Sequence, residues 1–260
     1  MSNPVFFTPA GTLDDQAPGT TFVLTGAEAR HAVTVKRLAV GEAVDLADGA
    51  GTRITGTVTA VAPQELTVEC VEASTEARPD IRLVLVQALA KGDRDELAAE
   101  TATELGIDAV VPWQAERSIV RWKPERAAKA HAKWQSVVTA AAKQARRAWI
   151  PEVRYAVDGG GLQAAVAAAD LAVILHEDAV RPLRQVLETW RGEAQGQGND
   201  GGEPREVLLI VGPEGGISPR EVTRLCDAGA VTALLGHHVL RSSTAGPAAT
   251  VLASDVLGRW

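Results

Sequence analysis

Three apolar runs in this chain end in residues able to do chemistry. "LAVIL" (171–175) leads into His176-Glu177-Asp178, and "VLLIV" (207–211) into Gly212-Pro213-Glu214-Gly215-Gly216. "VTALL" (231–235) leads into Gly236-His237-His238-Val239-Leu240-Arg241. In parallel α/β sheets, ligands sit outside the carboxyl ends of the strands. None of these loops carries G-x-G-x-x-G or G-x-x-x-x-G-K-[ST], the backbone cradles for phosphate. Glu177 and Glu214 would repel a pyrophosphate but tolerate a sulfonium or an amine, so the loops suit a non-phosphorylated nucleoside. The competing reading of Glu214 is an exposed or cap-supporting acid. Arg241 lies between Val239-Leu240 and the hydroxyls of Ser242, Ser243 and Thr244. A guanidinium in that setting is less often idle, and a surface ion pair is the alternative. Val239 and Leu240 are expected to pack on something flat, and Thr244 to cap a terminal helix.

The elements that would position these loops follow a strand–helix rhythm from about residue 81. "IRLVLVQAL" reads as a strand buried on both faces. Asp93 and Glu96 stand at capping-box spacing before a helix that ends at Gly106. "AVVPW" and "SIVRW" read as short strands, 125–148 as one long helix, and 182–191 as another. Ser218, Pro219 and Glu221 form a capping box with Pro at the favoured first position. The helix they start has Val222, Leu225 and Cys226 on its inner face and stops at Gly229. The alternation indicates an α/β domain with a mostly parallel sheet over 80–260. "GEAQGQGNDGGEPR" (192–205) reads as a surface loop. Residues 1–74 differ. Alternating runs at 43–46, 52–61 and 66–71, with turns at Gly41, Gly49, Gly51 and Pro63 and a helix over 27–38, predict a small barrel or sandwich.

Composition bounds the class. The 260 residues are 46% hydrophobic and 23% charged, which is ordinary for a globular chain. No apolar run reaches membrane-spanning length, and MSNPVFFTPA lacks a secretory pattern. Cys70 and Cys226 read as buried thiols of a cytoplasmic protein, and the five histidines show no metal-ligand spacing, so no metal is expected. Net charge is -7, yet 117–154 holds ten Lys/Arg against two acids, a local +8 that leaves -15 elsewhere. Such a segment points to a polyanion. Lys143, Arg146 and Arg147, at helical spacing, are its expected centre, with Arg117 beside them. Arg30, Lys36 and Arg37 are the fallback. Trp122, Trp134 and Trp149 within it read as packing residues before base-stacking ones.

VGPEGGISPREV followed by LGHHVLRSSTA closely resembles the RsmE family of SPOUT-class rRNA methyltransferases. Similar blocks at 31–42, 88–122 and 141–151 extend the likeness over almost the whole chain. Gly212, Glu214, Gly236, Leu240, Arg241 and Thr244 match the family pattern, whereas Thr101, Ala145 and Ser243 depart from it. The resemblance implies a trefoil-knotted parallel-sheet domain, a PUA-like β-barrel before it, and a homodimer. It implies S-adenosylmethionine as cofactor, held by Leu175, His176, Gly212, Glu214, Gly215, Leu235, Gly236, Val239, Leu240, Thr244 and Ala245. The implied reaction is methylation of ring nitrogen 3 of a uridine in the decoding region of 16S rRNA or the small ribosomal subunit. Arg241 is the leading candidate to stabilise the uracil anion, with Arg147 and Arg117 behind it. Glu214, His238 or water would take the proton. A transferase for another rRNA or tRNA site, or a non-catalytic assembly factor, are the rival readings.

Overall fold

The computed structural model describes residues 3–195 and 204–260, so most of the expected surface loop at 192–205 lies outside the described residues. The chain forms two compact units, Met1–Arg78 with Ala142–Ile150, and Pro79–Ala141 with Pro151–Trp260.

The first unit is a five-stranded sheet in the order β1-β3-β4-β5-β2. Its strands are β1 (Val5–Phe7), β2 (Thr21–Thr25), β3 (Ala43–Ala47), β4 (Thr52–Ala62) and β5 (Glu65–Thr75). β1 runs parallel to β3 and the other pairs are antiparallel. Inward alternation along β4 and β5 buries Ile54, Val58, Leu66, Val68 and Cys70 against Phe6, Leu13, Leu24 and Leu46. The helix expected over 27–38 is shorter and irregular: α1 (Gly26–Arg30) passes into one π-helical turn at His31–Val35.

Residues 142–150 return to this unit for a packing reason. Gly51 has φ +104°, and a Cβ there would stand 2.5 Å from the Trp149 ring. The Trp149 Nε1–H donates to the Glu76 carbonyl at 2.9 Å, and the Arg78 guanidinium lies 4.3 Å from its ring centroid. Gly51 is therefore a seat for an indole as well as a turn.

The second unit is built on six strands, all parallel, in the order β11-β9-β10-β6-β7-β8. They are β6 (Ile81–Ala88), β7 (Ala109–Trp113), β8 (Glu152–Val153), β9 (Leu171–Leu175), β10 (Arg205–Val211) and β11 (Val231–Ala233). Side chains of one parity, among them Val84, Val86, Leu208 and Ile210, pack with Leu162, Val166 and Leu225 from α4 (Gly159–Ala168) and α6 (Pro219–Asp227). Each such fully buried aliphatic side chain contributes about 1.5–3 kcal/mol. The opposite parity meets α7 (Ser242–Val256), whose Gly246 lies so close to β6 that a Cβ would be 2.8 Å from Leu85. α2 (Arg94–Glu104) and α5 (Leu183–Gln195) pack against α7.

Several local expectations change. "SIVRW" is irregular rather than a strand. α3 spans Pro124–Gln144 and stops short of 148, and α5 extends past 191 to Gln195. Asp93 holds the N-cap position of α2 but makes no side-chain cap bond: it sits at φ 57°, and with Glu96 it pairs with Lys133 instead. α7 begins at Ser242, so Thr244 is inside it and Arg241 holds the cap position. Cys226 is exposed rather than buried.

Candidate active site

The carboxyl ends of three adjacent strands, β11, β9 and β10, open into one cleft of about 1050 Å³. It is lined by His176, Glu177 and Asp178 after β9, by 212–217 after β10, and by 234–242 after β11. The ends of β6 and β7 add Arg94 and Arg117.

The glycine turn is fixed from both sides. Gly212 has no room for a side chain, since a Cβ would lie 2.6 Å from Ile217 Cγ1. Gly216 sits at φ +71°, where a Cβ is strained. The capping box expected at α6 is present: Ser218 Oγ accepts from the Glu221 amide at 3.1 Å, and Glu221 accepts from the Ser218 amide at 3.2 Å. Such a cap is worth about 1 kcal/mol. Buried Glu221 also accepts from the Glu116 amide at 2.8 Å, and Ser218 Oγ donates to the Glu116 carboxylate at 2.7 Å. Those bonds pin the segment after β7 to the turn and set Arg117, whose Nη1 donates to the Gly215 carbonyl at 3.1 Å.

Glu214 is not a free acid. Its Oε1 accepts from Arg94 Nη1 at 3.1 Å and from the Lys91 amide at 3.2 Å. The loop carrying Lys91 and Arg94 is in turn braced by Asp95, whose carboxylate accepts from the Ala90 amide at 3.2 Å. Burial pushes the Asp95 carboxyl above the usual carboxylate range, against the opposing pull of the Ala90 and Glu96 amides. His176 Nδ1 accepts from the Asp178 amide at 3.2 Å. Val239 and Leu240, expected to pack on something flat, are 78% and 38% exposed along the cleft wall, with their apolar faces left uncovered by the chain itself. Gly236 faces open space: a Cβ there would meet nothing within 4 Å.

Of the residues expected to hold a ligand, Leu175, His176, Gly212, Glu214, Gly215, Leu235, Gly236, Val239, Leu240 and Ala245 line this cleft, as do Arg241 and Arg117. Thr244 is exposed on the first turn of α7 and is not among the lining residues. Arg147, Lys143, Arg146, Arg30, Lys36 and Arg37 belong to the first unit. The expected shared helix face of Lys143, Arg146 and Arg147 does not exist, because α3 ends at Gln144 and Arg146 adopts φ +56°. Lys143 is occupied as well: Nζ donates to Glu28 at 2.7 Å, lies 3.1 Å from His31 Nδ1 and rests 4.6 Å from the Phe6 ring centroid. Arg30, Lys36 and Arg37 are exposed. Trp134 is buried and edge-on to Trp122 at 5.8 Å.

Arg94 and Glu116 escaped sequence reasoning. Arg94 follows a fourth strand end, that of β6, which is a usable signal. Glu116 bonds residues over 100 positions away, and nothing local announces that.

Comparison with known proteins bears on what this cleft does. An RNA methyltransferase domain family matches residues 77–254, and an RNA methyltransferase PUA domain family matches 24–70. Ribosomal RNA small subunit methyltransferase E of Mycobacterium bovis is 36% identical over 93% of this chain and 89% of its own length. The Bacillus subtilis protein of that name is 28% identical over 89% and 88%. The crystal structure of ribosomal RNA small subunit methyltransferase E from Neisseria gonorrhoeae bound to S-adenosyl methionine superposes with a TM-score of 0.77, at 25% identity and 98% coverage of both chains. The chain belongs to the ribosomal RNA small subunit methyltransferase E family and is an S-adenosylmethionine-dependent RNA methyltransferase.

Proposed function

We propose that this protein methylates ring nitrogen 3 of a uridine in the decoding region of 16S rRNA, within the free RNA or the small ribosomal subunit. In this reading it works in the cytoplasm, as a homodimer with a trefoil-knotted second unit and without metal. The observation that carries the reading is the convergence of three strand-end loops on one cleft, in a chain of this family.

The residues present fit S-adenosylmethionine. The cleft volume is at the upper end of the small-molecule range, and Gly236 leaves its space open. Backbone groups of 212–216 and 234–236 can bond an adenine edge, and exposed Val239 and Leu240 offer apolar cover. When bound, the cofactor supplies a methyl group already activated by its sulfonium.

The chain's own task is alignment and charge. Uracil N3 carries a proton at neutral pH and has no useful lone pair until that proton leaves. Arg241, exposed at the cleft and bonded to no carboxylate among the described residues, would stabilise the resulting ring anion. The proton goes to water or to the neighbouring His238, because Glu214 is committed to Arg94. The methyl group then passes to N3 as its bond to sulfur breaks. The target base must be unpaired or flipped out first. Mass spectrometry of rRNA from cells lacking the protein should show one uridine that has lost a methyl group on its pairing edge. A loss confined to tRNA, or to another base, would overturn the assignment.

A further inference from the structure

α7 begins at the cleft in a state that calls for an anion. Its cap position is Arg241, at φ -63° and ψ 151°, and no side chain caps the helix. Within the same unit α4 is capped by Asp158 and α6 by Ser218, while α2 shares the lack of a side-chain cap but begins at an aspartate, not at a cation. A guanidinium offers no acceptor, and it adds positive charge where the helix dipole is already positive. The Thr244 and Ala245 amides both turn back to the Arg241 carbonyl, at 2.8 and 3.0 Å. The Ser242 and Ser243 amides have no acceptor among the described residues.

A second observation is independent of the helix end. Ser242 is 8% exposed and lines the cleft, and its Oγ is shielded from water with no hydrogen-bond partner. An orphaned hydroxyl is costly. It stands beside two orphaned amides, and one oxyanion would satisfy all three donors.

Two other cations of the cleft are engaged. Arg94 is held by Glu214, and Arg117 by the Gly215 carbonyl. If the cleft holds S-adenosylmethionine, its amino-acid arm brings one carboxylate and one ammonium. Of the cleft's three acids Glu214 is held by Arg94, and the other two, Glu177 and Asp178, lie after β9 and suit the cation. Resting on that reading of the cleft, we propose that the start of α7 is an oxyanion subsite, in which Ser242 Oγ and the Ser242 and Ser243 amides bind the cofactor's carboxylate. The subsite favours the intact amino-acid arm, and a nucleoside that lacks one should bind more weakly.

Titration calorimetry with three ligands tests this: S-adenosylmethionine, its decarboxylated form and 5'-methylthioadenosine. Wild-type protein should bind the first at least roughly tenfold more tightly than the second, as expected for a charge-assisted hydrogen bond. Ser242→Ala should weaken S-adenosylmethionine by about tenfold and leave the two carboxylate-free ligands unchanged. Ser242→Pro removes hydroxyl and amide together at the helix position where Pro is favoured, after a residue already extended. It should weaken S-adenosylmethionine further, again alone. Equal losses for all three ligands, or none, would overturn the subsite. So would a loss confined to RNA oligonucleotide, which would give these donors to a phosphate. Failure of the cleft reading itself looks different: wild-type protein would then bind none of the three.

Discussion

Replacing Gly212 by Ala tests whether the glycine turn is built by contact or merely permits movement. The new Cβ would sit 2.6 Å from Ile217 Cγ1, 3.3 Å from its Cδ1 and 3.4 Å from its backbone nitrogen. Carbon atoms pack at about 3.5–4.0 Å, so one side must retreat by roughly 1 Å. Ile217 cannot swing away easily, because it is 6% exposed and β-branched. The turn must therefore move, and with it Glu214 and Gly215. Overpacking of this kind costs about 1–3 kcal/mol. We expect a lower urea midpoint with unchanged slope, and at least a tenfold loss of S-adenosylmethionine affinity by calorimetry. In an Ile217→Ala background the clashing Cγ1 and Cδ1 are gone. The added cost of Gly212→Ala should then fall below about 1 kcal/mol, a coupling that a double-mutant cycle reads directly. Gly236→Ala is the control. Its Cβ meets nothing in the folded chain, so stability should hold while affinity falls, because the ligand claims that space. Additive costs in the cycle, or wild-type stability and affinity in Gly212→Ala, would refute the reasoning.

Arg241→Ala should cut single-turnover methylation by roughly 100-fold while cofactor affinity changes by only a few fold. Equal losses would make it a cofactor-positioning residue. Lys143→Glu would set a carboxylate against Glu28, so it should cost about 2 kcal/mol in denaturant titrations. Arg146→Glu, on an exposed side chain, should leave stability unchanged and reduce the salt slope of RNA binding by about one unit. An unchanged slope would send the RNA footprint to Arg30, Lys36 and Arg37. Burial, the largest single influence, pushes the Glu206 carboxyl up, but its bond to Arg154 and the charges of Arg154 and Arg82 together outweigh that and leave it below its ordinary value. Its contribution is present above the unfolded-state value near about 4.3 and is lost as pH falls through the lower folded value. Glu206→Gln should therefore flatten the acid limb of the stability–pH profile. An unchanged limb would show the pair to be idle.

The second unit was the more legible in sequence, for physical reasons. Strands buried on both faces read as unbroken apolar runs, and the α6 cap is local chemistry three residues apart. That is why the loops after 175, 211 and 235 could be drawn together before any fold was known. What failed depended on distant partners. Lys143, Arg146 and Arg147 followed helical spacing into a stretch where the helix has already ended. "SIVRW" has strand composition, yet Ser118 is buried and Ile119 63% exposed in a segment tied down through Glu116. Glycine reads as a turn, and only the fold shows that Gly51 also accommodates Trp149.

The return of Ala142–Ile150 to the first unit has a consequence for synthesis. A ribosome that has made the first 78 residues has not yet made the indole that covers Gly51, nor the lysine that bonds Glu28. At roughly 5–20 residues per second, those groups emerge on the order of ten seconds later. The nascent unit must wait with that flank open while helix-forming sequence of the other unit passes it. Such a module cannot be exchanged between genes by one crossover, since its last nine residues travel inside its neighbour.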